Sequence, residues 1–517
     1  KGLAMGLAYH RLGRNEAAQL AWRSALREVE QQIAAVGVGG NSKFFYHKAW
    51  LFAFLGDLAA AEEAMRTWEQ IGGATNVLKA KLLMLLGRPN EALKALPKSP
   101  WRGLGPFSAT IGRLATQGAE YRYDPIWDPV RGDPGFEALV AKTKRGVSPP
   151  TPPVTTKVEP KSLAVLAFRQ LSADPENEYL CEAISDELCN VLGRVPGLRV
   201  AASASAFSFK GKRVRPAEMA AQLGVAYLVD GTVQKIGNRV RVNATLIKAV
   251  DESPVWSSGS LDHELKDMFA VQDAVVAAIA KNLQVQLGGV PARVQPINPE
   301  AYRLYYEGRQ VWSLRGTPEE VPRAKKLYER ALALDPNLGR AYAGLVDTSM
   351  ELSVASAGRE FTSHFGQRGS VKKAEIFALA TKAVELEPSS AETHTTRARA
   401  LWYAWQIAAS EQEVRTALRL NPNYADAHLL LSRLLHNDGR VEEALASVRT
   451  ATELDPLTSR HFDNFSTALR ASGLYREALV QAERALGLQP NSLQGRRTKM
   501  AALTCLGRHA EAVAIAR

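Results

Sequence analysis

Cysteine is scarce in this chain of 517 residues: Cys181, Cys189 and Cys505 are the whole set. The first two fall eight residues apart on one predicted helix, about 12 Å along its axis. A disulfide does not span that distance, so an unpaired set in a reducing compartment, the cytoplasm, is expected. Long apolar runs are missing as well. No stretch approaches the roughly 18 residues of a membrane span, and no signal-peptide pattern is seen. The spacings that chemistry needs are also lacking. Nine histidines form no pair at metal-ligand spacing, and no Cys-x-x-Cys occurs. No glycine-rich run leads into Lys and Ser or Thr, and kinase signatures are absent. Lys210-Gly-Lys-Arg reads as an exposed loop, and Asp262-His263-Glu264 as a solvated helix start. Ser203 and Ser205 have neither a base partner nor a nucleophile elbow. The sequence therefore predicts no catalytic site, no metal and no cofactor.

Charge is present but not organised. The formal net charge is +12, yet Lys and Arg are scattered and form no arginine-rich tract. A diffuse basic surface is expected rather than a nucleic-acid face. With 46% hydrophobic and 23% charged residues, the composition excludes a wholly disordered chain.

What is there is a repeat. Pro422, Pro456 and Pro490 stand 34 residues apart, each closing a helical pattern of the type Arg-Thr-Ala-Leu-Arg-Leu-Asn-Pro. Gly439, Gly473 and Gly507 keep the same step, and so do Ala444, Ala478 and Ala512. This period marks the tetratricopeptide repeat, an antiparallel helix pair that stacks on its neighbours and recognises other proteins. Pro336 to Pro388 is 52 residues, one period plus an insertion of 18 near Ser353 to Ser370, read as a loop. The chain starts at Lys1 in helical pattern and stops at Arg517 inside a repeat; a piece of a longer protein is expected.

Four segments follow. Residues 1–145 read as degenerate helical hairpins turning at Gly13, Gly56 and Gly87, ended by a segment carrying Pro125, Pro129 and Pro134. Residues 146–160 form a proline-rich linker. Residues 161–290 change period: Leu163 to Phe168 is a buried strand, Glu176 to Arg194 a helix, Leu198 to Phe207 a strand and Pro216 to Leu223 a short helix. Two strands flank Gly237-Asn238, and Leu265 to Leu287 is a last helix. Residues 298–517 resume the helical array. The fold class expected is mainly α, with α-solenoids flanking a central α/β domain.

The middle domain resembles the TolB amino-terminal-like family. Carrying residues are Lys161-Ser-Leu-Ala-Val-Leu-Ala-Phe, Asp174-Pro-Glu-Asn-Glu-Tyr, Ser185-Asp-Glu-Leu, Pro196-Gly-Leu-Arg-Val, Phe207-Ser-Phe-Lys-Gly-Lys, Asp230-Gly-Thr-Val and Met268-Phe-Ala-Val-Gln-Asp. Ala167 stands where the family commonly has proline, and His263 where arginine is usual. The resemblance implies a bacterial signalling protein with tandem tetratricopeptide repeats and no established catalytic residues in this domain. It also implies an upstream effector of the Ser/Thr kinase, adenylate cyclase or winged-helix type.

Register set from Pro456 assigns a concave face to the repeats. It carries Arg399, Trp402 and Tyr403, then Asp426, Leu429, Arg433, His436 and Asn437, then Arg460, Asp463, Thr467 and Arg470. His428, Leu431, Leu435, Ala444, Val448 and Ala451 fall at packing positions. Arginines on consecutive repeats suit an acidic or carboxylate-bearing peptide held by paired hydrogen bonds, so the expected partners are proteins or peptides.

Overall fold

The structure, a computed structural model, describes residues 10, 14–36, 42–70, 76–96, 129–142, 158–171, 178–237, 239–264, 268–284, 298–314, 320–357, 367–404, 406–438 and 440–516. Most of the predicted linker, the Asp174 motif, Gly13, Pro125, Asn238 and Gly439 lie outside them.

The first helices are α1 (Asn15–Val36), α2 (Ser42–Leu55), α3 (Leu58–Gln70), α4 (Asn76–Leu85), α5 (Pro89–Ala95) and α6 (Pro134–Lys142). Gly56 and Gly87 adopt positive φ between helices, at 85° and 71°, as the turns require. Pro134, expected to interrupt a helix, instead opens α6, where its missing N–H is harmless. The Asp133 carboxylate accepts from the Gly135 and Phe136 N–H groups, both at 2.9 Å, and caps the same turn.

A mixed sheet follows, built from β1 (Glu159–Val165), β2 (Arg169–Gln170), α7 (Glu178–Leu192), β3 (Arg199–Val200), α8 (Ser203–Phe207), α9 (Pro216–Leu223), β4 (Val225–Ile236), β5 (Arg239–Lys248), β6 (Ser253–Ser257), β7 (Leu261–Glu264) and α10 (Met268–Asn282). The main order is β3-β1-β4-β5-β6, with β2 beside β4 and β7 beside β5. β1 pairs parallel with β3 and β4, whereas β4 and β5 form a ten-pair antiparallel hairpin. In β5, Val240, Val242, Ala244 and Leu246 are buried while their neighbours face outward, as the alternation requires.

Two expectations are corrected here. Leu198 to Phe207 is not one strand: pairing ends at Val200, and Ser203–Phe207 is helical. Its Ala/Ser composition carries no β-branched preference, and contacts with distant residues, described below, decide its shape. Asp262-His263-Glu264 lies in β7, with His263 paired to Val240, and does not start a helix.

The second array comprises α11 (Pro299–Leu314), α12 (Glu320–Leu334), α13 (Gly339–Ala357), α14 (Gln367–Leu386), α15 (Ala391–Tyr403), α16 (Ile407–Leu420), α17 (Ala425–Asn437), α18 (Val441–Leu454), α19 (Ser459–Ala471), α20 (Tyr475–Leu488), α21 (Leu493–Cys505) and α22 (His509–Ala516). Ala444, Ala478 and Ala512 are at most 2% exposed, so the repeating small residue is what lets the helices approach. Leu431, Leu435, Val448 and Ala451 are buried as expected. His428 is half-buried and donates from Nε2 to the Pro422 carbonyl at 2.8 Å. The predicted insertion loop is narrower than expected, since α13 runs to Ala357 and α14 starts at Gln367.

The sheet unit and the array share one hydrophobic core. Leu188, Val229 and Leu246 belong to the same buried cluster as Tyr302, Tyr305 and Tyr328. The turns between repeats then grip the sheet unit. The Asn423 amide donates to the Gly193 and Leu198 carbonyls, both at 2.9 Å, and its oxygen accepts from the Val200 N–H at 3.0 Å. Gly193 is needed for this approach, because a Cβ there would stand 2.8 Å from the Asn421 side chain. One repeat further on, the Ala202 N–H donates to the Leu454 carbonyl at 2.8 Å. Ser205, wholly buried, donates to Asp455 and accepts from the Leu457 N–H at 2.8 Å.

Candidate functional site

Docked in this way, the sheet unit walls off one side of the repeat groove and leaves a cavity of about 940 Å³. Helices α15, α17, α19 and α21 supply its floor with Arg399, Asp426, Arg433, Asp463, Asn464 and Thr498. Asp186, Ser203 and Ala204 of the sheet unit form the facing wall, and Arg309 and Trp312 of α11 close one end. Such a volume takes a drug-sized ligand or a short peptide.

The charges of the cavity are mostly tied up. Arg309 pairs with Asp186 at 2.6 Å, while the Ser203 hydroxyl, the Tyr306 hydroxyl and the Asn190 amide also donate to that carboxylate. Arg399 pairs with Asp347 at 2.8 Å, and Arg460 with Asp426. Burial would raise the Asp426 carboxyl, but Arg460, His461 and Arg399 outweigh it and hold it well below the usual range.

Arg433 differs from these. Its guanidinium donates only to the Asn464 oxygen, at 2.7 and 3.1 Å, with no carboxylate in ion-pair contact among the described residues. Burial, with Arg460 and Arg399 nearby, lowers its pKa to about 10. A cation held so far from its ordinary value in a cavity marks a functional candidate. Asp463 is its counterpart: 5% exposed, with Oδ1 lacking any hydrogen-bond partner and the carboxyl pushed up to about 6 by burial, which outweighs a hydrogen bond from Thr498.

Of the residues assigned to the concave face by register, Arg399, Asp426, Arg433, Arg460, Asp463 and Arg470 line the cavity, together with Thr467. Trp402 packs half-buried against the cluster of Ala398 and Leu434, and Tyr403 against that of Ile376 and Ala380. His436 is buried, its pKa lowered to about 4 by desolvation. Leu429, read as groove-facing, is 3% exposed and packs with Val448 and Phe465. Asn437 ends α17, and its side chain lies outside the described residues. Sequence reasoning missed Asn464, although its place beside Asp463 on α19 could have suggested it. It also missed the sheet-unit wall, for which no local signal exists.

Among the described residues, no group of His, Cys, Asp and Glu could hold a metal ion, and no helix is long and apolar enough to cross a membrane. Cys181 and Cys189 are free and buried; desolvation raises both thiols, Cys181 to about 12, which leaves them unreactive.

Comparison with known proteins supports the repeats. The tetratricopeptide repeat family pattern matches residues 395–457, which cover most of α15 and all of α16 to α18. A Rhizobium meliloti (strain 1021) protein named "Putative adenylate cyclase 3" is 32% identical over 266 residues. The match takes in 51% of this chain, which spans 43% of that relative's length. A tetratricopeptide protein of Thermus thermophilus, TTC0263, is 20% identical, with a TM-score of 0.32 over 41% of this chain and 98% of that one. The tetratricopeptide protein YrrB, described as having an unusual peptide-binding site, is 21% identical, with a TM-score of 0.24 over 38% of this chain and 91% of its own.

Proposed function

We propose that this chain is a non-catalytic interaction scaffold of bacterial signalling, working in the cytoplasm, whose repeat groove binds an acidic or carboxylate-bearing peptide of a partner protein. The sheet unit, read as a TolB amino-terminal-like domain over residues 161–290, is the second module, flanked by the arrays at 1–145 and 298–517 and preceded by the linker at 146–160. The observation that carries this reading is Arg433: a guanidinium facing a cavity without a carboxylate partner, crowded by Arg399 and Arg460. A ligand carboxylate there gains charge-assisted hydrogen bonds that the protein itself leaves unmade.

The test is a pull-down from bacterial lysate with the full chain, beside a variant carrying Arg399→Ala, Arg433→Ala and Arg470→Ala. A discrete partner lost in the variant is the expected result. A partner retained equally by the variant would remove the arginines from recognition.

A second reading is favoured by the similarity to a protein named as an adenylate cyclase. In it, the chain is the regulatory region of a cyclase, and partner binding sets the activity of an effector elsewhere in the protein. Cyclase assays on the natural protein, with and without the captured partner, decide it: unchanged activity contradicts regulation.

A further inference from the structure

Six arginines and six carboxylates line the cavity, so its formal charge is balanced. A balanced lining disfavours a polyanion, because Arg309, Arg399 and Arg460 are already paired with carboxylates. The interior pairs are largely closed: Arg309 with Asp186, Arg399 with Asp347, Arg460 with Asp426, and Asp455 with His461 and Ser205. Of the other lining charges, Glu392 accepts from the Tyr305 hydroxyl, and Glu351 and Arg497 are exposed at the rim. Arg433 and Asp463 are two further groups, of opposite sign, outside these pairs. Arg433 meets only the neutral Asn464 side chain. Asp463 is in no ion pair among the described residues, and its Oδ1 is buried without a hydrogen-bond partner. An unmet buried acceptor is costly, and a ligand donor reaching it would remove that cost.

The two groups are neighbours. Arg433 is bonded to Asn464, and Asp463 precedes Asn464 on α19; all three line the same cavity. They are not in ion-pair contact with one another, so neither neutralises the other. We infer that the occupant of this cavity is zwitterionic, a peptide segment that places a carboxylate on Arg433 and a nearby ammonium or guanidinium on Asp463. This rests on the groove reading above and names the chemistry of its partner: an acidic residue followed closely by a basic one. A purely acidic segment would satisfy Arg433 but leave Asp463 facing like charge.

Calorimetry of the full chain with two capped dipeptides tests this. One is acetyl-aspartyl-lysine amide; the other carries norleucine in place of lysine and so lacks only the ammonium. The lysine peptide is expected to bind about tenfold more tightly, the size of one charge-assisted hydrogen bond. Asp463→Asn, which keeps the shape of the side chain, should erase that advantage without changing the norleucine peptide. Arg433→Gln should weaken both. Equal binding of the two peptides to the native chain overturns the zwitterion and leaves the carboxylate reading standing. Binding of both peptides that Arg433→Gln does not weaken, or binding of neither to the native chain, overturns both.

Discussion

Arg340→Ala is expected to destabilise the chain by about 3–5 kcal/mol, the cost of stranding buried charge. Arg340 lies on α13 with only 4% of its surface exposed, between two carboxylates from different parts of the chain. Its Nη1 is 2.8 Å from Glu187 of α7, its Nε is 3.3 Å from Glu387, and its backbone N–H donates to Glu387 at 3.1 Å. Alanine would leave both carboxylates in a poorly solvated place with no cation between them. Urea denaturation checks this. A loss below about 1 kcal/mol would mean that water reaches the site and that the ion triad does not join the two units. Replacing all three residues together by apolar ones of similar size should cost much less than Arg340→Ala alone, because no charge is then orphaned.

Stability should also fall as pH rises through about 9, and the loss should vanish in His461→Gln. His461 is 1% exposed on α19, with Nε2 3.4 Å from Asp426 and Nδ1 3.3 Å from Asp455. Burial would lower its pKa, but the two carboxylates outweigh burial and hold it up to about 9. An unfolded histidine titrates near about 6.5, so the folded state binds the proton more tightly. The stabilisation is therefore complete below about 6.5 and is lost between there and about 9. Its size is on the order of 2–3 kcal/mol. Buried His436, lowered to about 4, acts in the opposite sense, present above about 6.5 and lost on acidification. Comparing the pH profiles of unfolding free energy for the native chain and His461→Gln isolates the alkaline limb. Parallel profiles between pH 6.5 and 9 would contradict the assignment.

How far the sequence carried this account depends on the range of the interactions involved. The prolines at 422, 456 and 490 and the alanines at 444, 478 and 512 are legible because helix ends and tight helix contacts are set by local chemistry. Strands β4 and β5 were legible for the same reason, since alternation such as Val240, Val242 and Ala244 is a property of the segment itself. The helix at Ser203–Phe207 was not, because its docking partners Leu454, Asp455 and Leu457 are some 250 residues away. In the site, periodicity assigned a face to each helix but not the partner of each side chain. It therefore grouped Arg399 and Arg433 alike, though one is paired with Asp347 and the other meets only Asn464. It could not show Leu429 turned into the contact between repeats, or the wall that Asp186 and Ser203 raise across the groove.

On the proposed function, Arg433 is kept for a ligand and not for the fold. The unfolding free energy of Arg433→Gln, measured beside the native chain without added ligand, tests it most directly. Glutamine can keep one donor to Asn464 while removing a half-buried guanidinium that Arg399 and Arg460 oppose. The expected stability equals that of the native chain, or is higher by up to about 1 kcal/mol, as is common where a site is held at some cost to the fold. A loss of about 2 kcal/mol or more would show that Arg433 is a structural residue and would contradict the claim.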